Sequence, residues 1–152
     1  MDYRLLVLLH ILAGMAWLGG GFALWATLFV ARRSQGPEAA DRVMRSLQWA
    51  DTWLGIVAPL LVLVTGAAMA IVGGWGFGQT WILASIALIV AYELIALTVG
   101  SRLYRRIEDA RRQGRVGSAD HARTMAAWAR LSVVLLGFLV AVVTLMVVKP
   151  GV

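Results

Sequence analysis

No cysteine occurs anywhere in the sequence, which excludes a disulfide framework, CxxC redox chemistry and thiolate metal sites. Charge is scarce as well: 14% of residues are Asp, Glu, Lys or Arg, against about a quarter in ordinary soluble domains. Histidine occurs twice and proline three times. There is no P-loop, HExxH, GxSxG or dinucleotide fingerprint, so neither nucleotide chemistry nor the common hydrolytic mechanisms have sequence support. A pair of broken-helix halves, the mark of transporters built from inverted repeats, is also lacking. Any chemistry must therefore come through a bound cofactor, with the chain supplying ligands and environment.

What is present is apolar surface. Of 152 residues 61% are hydrophobic, and the mean hydropathy is +0.80. This composition belongs to an integral membrane protein of a single domain. Four runs are long enough to cross a bilayer core of about 30 Å at about 1.5 Å per helical residue: residues 5–30, 52–73, 81–101 and 131–148. The third carries one charge, Glu93, and the others none. The first run is too long for the hydrophobic region of a signal peptide and has no convincing cleavage site, so it is read as retained.

The excess of basic residues gives a net charge of +6, but their placement argues against nucleic acid, since no aromatic platform interleaves them. Arg32, Arg33, Arg42 and Arg45 lie between the first and second runs. Eight more arginines, from Arg102 to Arg130, lie between the third and fourth, leaving only Arg4 and Lys149 of the 14 basic residues elsewhere. The positive-inside rule places both basic segments in the cytoplasm, where they can meet anionic lipid headgroups, and both termini on the far side. Trp75 and Trp81 at one boundary, and Trp49 and Trp53 at the other, suit interfacial anchoring. Pro37 opens a short helix with a Val43, Met44 and Leu47 stripe. The third helix continues past Leu103 and Ile107, pairs Glu108 with Arg112, and stops at Gly114. Ser118 or Asp120 caps the last helix. The expected fold is an all-α, four-helix up-down membrane bundle.

The informative residues are the polar ones at membrane depth. His10 lies about 7 to 8 Å below the outer boundary, with Gly14, Trp17 and Gly21 following on its face. It either makes helix packing specific through a hydrogen bond or acts as an axial haem ligand or metal ligand. In the second run Gly55, Pro59, Val62, Gly66, Met69 and Gly73 share one face, and Pro59 leaves the Gly55 carbonyl free and suggests a kink. Met69 falls near the depth of His10, where a His–Met pair would suit haem, and Met15 or Met146 would add soft donors for Cu(I). Methionine also serves as adaptable packing. Glu93, near mid-bilayer, should face the bundle interior, neutral or paired with His10 or an arginine. Tyr92 beside it points about 100° away. His121, between Asp120 and Arg123, is expected to be solvated.

Leu9-His10-Ile11-Leu12 followed by Ala16-Trp17-Leu18-Gly19-Gly20 resembles the first-helix signature of the HemJ/CopD-like four-helix membrane proteins. The likeness continues through Thr65-Gly66, Trp81-Ile82-Leu83-Ala84 and Val147-Val148-Lys149-Pro150, and so covers essentially the whole chain. Within that group the chain is most similar to a bacterial "predicted integral membrane protein" family of unknown function. The resemblance implies a bacterial inner-membrane location and a match of His10 to the histidine that ligates haem b in HemJ-type protoporphyrinogen oxidases. Those oxidases also require a lysine near the start of helix three. The stretch here, Trp81-Ile82-Leu83-Ala84-Ser85-Ile86, has none, and Tyr92-Glu93-Leu94 stands where they carry histidines. Both departures tell against oxidase activity and leave a haem at His10 open.

Four functional readings follow. The first is a haem b protein with a redox or electron-transfer role and a membrane redox partner, with His10 and Met69 as candidate ligands and Gly14 and Trp17 beside them. The others are a cofactor-free scaffold, copper handling of the CopD kind, and protoporphyrinogen oxidation. The glycines leave homo-oligomerisation open.

Overall fold

Long uncharged runs force long helices, because every backbone N–H and C=O in hydrocarbon must be satisfied within its own segment. The computed structural model describes residues 2–150, with every side chain among them except those of Pro37 and Asp51, and these residues form helices with no strand. In chain order they are α1 (Tyr3–Gln35), α2 (Pro37–Ser46), α3 (Gln48–Val72), α4 (Thr80–Ile95), a π-helical turn (Ala96–Gly100), α5 (Ser101–Arg112) and α6 (Ala119–Val148). Four long helical stretches are apolar enough to cross a membrane: α1, α3, the continuous run from Thr80 to Arg112, and α6. Each extends beyond its apolar run, except that α3 ends at Val72.

The caps follow local chemistry. Asp2 accepts a hydrogen bond from the Arg4 N–H at the start of α1, and Ser118, not Asp120, accepts from the His121 N–H at the start of α6. After α5 the chain turns at Gly114, whose φ of +65° is one that a side chain would strain. Pro59 lies inside α3, which runs through it as one continuous helix.

α1 packs chiefly on α3 and α4 on α6, and contact between α1 and α6 joins the two pairs. Ala13, Trp17, Ala58, Val62, Ile89, Leu139 and Val142 form the core between them. Large side chains elsewhere on the helices, such as Leu8, Met15, Ile71 and Val147, are exposed, as a lipid-facing surface requires. Trp49 and Trp53 are exposed neighbours with ring centres 5.9 Å apart. At the end that carries the termini, the Lys149 ammonium sits 4.7 Å from the Trp75 ring centre and 5.5 Å from that of Trp81. Those tryptophans therefore bind the last turn of α6 to the α3–α4 link as well as suiting a membrane boundary.

The opposite, basic end has its own small core of Leu28, Ala40, Met44, Ile107 and Met125, with Val43 packed against it. Met44 and Val43 are thus two of the three members of the α2 stripe that face this core. Ile107 is wholly buried. Ile107→Val should lower stability by about 0.5 to 1.5 kcal/mol, read as a shift in the thermal midpoint of the detergent-solubilised protein. An unchanged midpoint would mean that α5 does not seal this layer.

Candidate functional site

His10 is half-buried on α1 and meets α3 and α6. Its Nδ1 is 2.9 Å from Thr65 Oγ1, and its Nε2 is 3.5 Å from Met146 Sδ. Thr65 Oγ1 also donates to the Leu61 carbonyl one turn back along α3, the usual bond of a helical threonine. With its only proton committed there, the hydroxyl can offer His10 nothing but lone pairs. His10 Nδ1 must then carry the ring proton and donate it to Thr65. Nε2 is left with a bare lone pair facing a thioether sulfur, which has no proton to donate to it. Two Lewis bases, one of them the soft thioether, thus face each other across 3.5 Å.

The spacing discriminates between possible guests. With metal–nitrogen and metal–sulfur bonds of about 2.0 and 2.3 Å, donors on opposite sides of a metal stand about 4.3 Å apart, but donors at a near-tetrahedral angle stand about 3.5 Å apart. His10 and Met146 as packed fit a single ion held at a bent angle. They do not fit a porphyrin sandwiched between them. The approach of α3 is equally close, since a Cβ at Gly66 would lie 3.2 Å from His10 Cε1. The cavity of about 250 Å³ among the helices is lined without His10, Thr65 or Met146.

The other sequence candidates distribute as follows. Met69 makes no bond to His10 among the described residues, and Met146 takes that place. Met15 is exposed on the outer surface of α1. Gly14 faces open space, where a Cβ would meet nothing within 4 Å, so it receives no neighbouring backbone. Trp17 is core, buried at 4% exposure and edge-on to Tyr92 with ring centres 5.0 Å apart. Glu93 pairs with neither His10 nor an arginine among the described residues, and its buried Oε1 has no hydrogen-bond partner there.

His121 departs from its expected solvated state. It is 1% exposed, and its Nε2 lies 3.2 Å from Asp41 Oδ1. The Gly117 N–H donates to its Nδ1 at 3.4 Å, which places the ring proton on Nε2, pointing at the carboxylate. Arg111 Nε binds the same Asp41 oxygen at 2.8 Å, and Arg111 Nη1 binds Glu108 at 3.0 Å. The expected Glu108–Arg112 pair is present at 3.4 Å. Beyond the apolar part of its helix, Glu108 is held below the ordinary carboxylate range by its bonds to Arg111 and Arg112. Asp41 and Arg111 escaped the sequence reading. A signal was available in Asp41, an acid one turn before Met44 on the stripe that buries α2. Arg111 is one arginine among eight in its segment and has no such mark.

Among the described residues no three His, Cys, Asp or Glu side chains gather as a metal site. Residues 4–150 match the model of a family described as "Predicted integral membrane protein (DUF2269)". No curated protein and no solved structure matches.

Proposed function

The chain belongs to that family of predicted integral membrane proteins, whose description names no activity, and we propose from its own side chains that it handles copper, holding Cu(I) between His10 Nε2 and Met146 Sδ. The observation that carries this reading is the pair of lone pairs facing each other at 3.5 Å. Thioether is a soft donor of the kind that selects Cu(I), and imidazole is among the ligands that suit copper. The Nδ1–H bond to Thr65 supplies the outer-shell partner that metal-bound histidines have, fixing tautomer and ring orientation. With both basic segments in the cytoplasm of a bacterium, this site lies in the outer half of the inner membrane, toward the side that carries the termini.

A haem b protein with His10 as axial ligand is the second reading. It is favoured by the same Nδ1–H bond and by the HemJ/CopD-like first helix, and it requires α6 to withdraw Met146. In that case His10 would hold the iron, and the haem would supply one-electron redox chemistry.

One preparation separates the two. Protein purified in detergent without chelator, from cells supplied with copper and haem precursor, should retain about one copper per chain and show no Soret band. A Soret band that shifts on dithionite reduction, without copper, would replace copper handling by the haem reading. Wild-type protein with neither metal nor pigment would overturn both and leave His10 a packing residue.

A further inference from the structure

We propose that the cavity between the helices toward the basic end binds a neutral, planar, carbonyl-bearing molecule from the lipid phase, the chemistry of a quinone head group. The site is separate from His10. Gly21 lies eleven residues beyond His10 on α1 and Gly55 ten residues before Thr65 on α3, about 15 Å along each helix. The inference does not rest on the copper reading.

Three glycines line this cavity: Gly21, Gly55 and Gly100. A Cβ at Gly55 would meet nothing within 4 Å, at Gly21 only Leu136 at 3.6 Å, and at Gly100 only Leu131 at 3.7 Å. These are ordinary contacts, so no close helix approach requires glycine at any of them. Gly20 is different, because a Cβ there would come within 2.7 Å of Leu54. Glycine is a poor helix former, and what it leaves at the three positions is volume. The π-helical turn forms part of the same wall through Ala96 and Gly100. Such turns are rare, and they occur often at functional sites.

The lining chemistry restricts the guest. No Asp, Glu, Lys, Arg or His is among it, so a charged molecule would enter without a counter-charge. The Ser101 and Ser132 hydroxyls already donate to the carbonyls of Leu97 and Trp128. The Tyr104 hydroxyl and the indole N–H groups of Trp25 and Trp128 donate to no group among the described residues. Donors in excess call for a guest with acceptors, and a lining that includes four aromatic side chains, Trp25, Tyr92, Tyr104 and Trp128, suits a planar one. The volume of about 250 Å³ suits a substituted ring, since an apolar cavity of about 150 Å³ admits benzene. A long tail would have to lie outside it, among lipid.

The test titrates the short-tailed decyl-ubiquinone into detergent-solubilised protein and follows tryptophan fluorescence. Partition into the micelle quenches without saturating; a site adds a saturable phase, expected at about one quinone per chain. Gly55→Leu, whose side chain enters the cavity, should abolish the saturable phase. Gly19→Leu, at another glycine with open space but outside the cavity, should keep it, with helical content by circular dichroism equal in both. Absence of a saturable phase in the wild type, or its survival in Gly55→Leu, overturns the proposal. Equal displacement by dodecane, which has no carbonyl, would make the cavity a plain acyl-chain slot and overturn it too.

Discussion

Asp41→Ala should be the most destabilising single change at the basic end, by about 3 to 5 kcal/mol. The carboxylate is buried, and its removal takes from the Arg111 guanidinium, only 7% exposed, its buried partner at 2.8 Å and leaves it only the half-exposed Glu108. It also leaves the His121 Nε2–H pointing at nothing. Arg45, 3.7 Å from the other carboxylate oxygen and largely exposed, adds little. The loss should appear as a lower thermal midpoint in detergent and as faster tryptic cleavage at Arg42 and Arg45, because α2 is tied to α5 and α6 through this carboxylate. Replacing Asp41, Arg111 and His121 together with leucine should recover most of the loss, since no unpaired charge then remains. If Asp41→Ala melts within 1 kcal/mol of wild type while its α2 stays protected, the apolar contacts of Met44 and Ile107 hold the layer by themselves.

That cluster also marks where the sequence stops being legible. The four spans, the α2 start at Pro37, a cap at Ser118 or Asp120, the Gly114 turn and the Glu108–Arg112 pair are local features, set within one or two helical turns, and each is readable from spacing alone. Asp41 and His121 are 80 residues apart. Nothing local distinguishes His121 from a solvated histidine until α2 is folded back over the start of α6. The π-helical turn is equally silent, since its residues, Ala96 to Gly100, hold no proline or charge to betray it.

The His10 site divides in the same way. A histidine inside an apolar run stands out at once, because its polarity is costly there. Which methionine reaches it depends on the stagger of three helices. Met69 shares the depth of His10 by residue count, yet Met146 on α6 presents the sulfur. The small residue beside the ring is likewise Gly66 across on α3, not Gly14 on the histidine's own helix. Periodicity assigns faces within a helix but not the register between helices.

Thr65→Val tests the His10 assignment most sharply, because valine keeps the shape of threonine and removes the hydroxyl that accepts from Nδ1–H, along with its bond to the Leu61 carbonyl within α3. If that bond orients the lone pair on Nε2, losing it should weaken Cu(I) binding by about 10- to 100-fold, measured by competition with a chromogenic Cu(I) chelator in detergent. His10→Ala should abolish retention altogether. Met146→Leu should weaken binding while leaving the helices packed, as leucine replaces methionine with little change in volume. A scaffold role for His10 makes the opposite forecast: Thr65→Val and His10→Ala would lower the melting temperature, and neither would alter copper content relative to wild type. Binding and melting therefore have to be read on the same preparations. A Thr65→Val protein that binds Cu(I) as tightly as wild type would show that the tautomer is not set by the hydroxyl, and the facing lone pairs would no longer support a metal at this position.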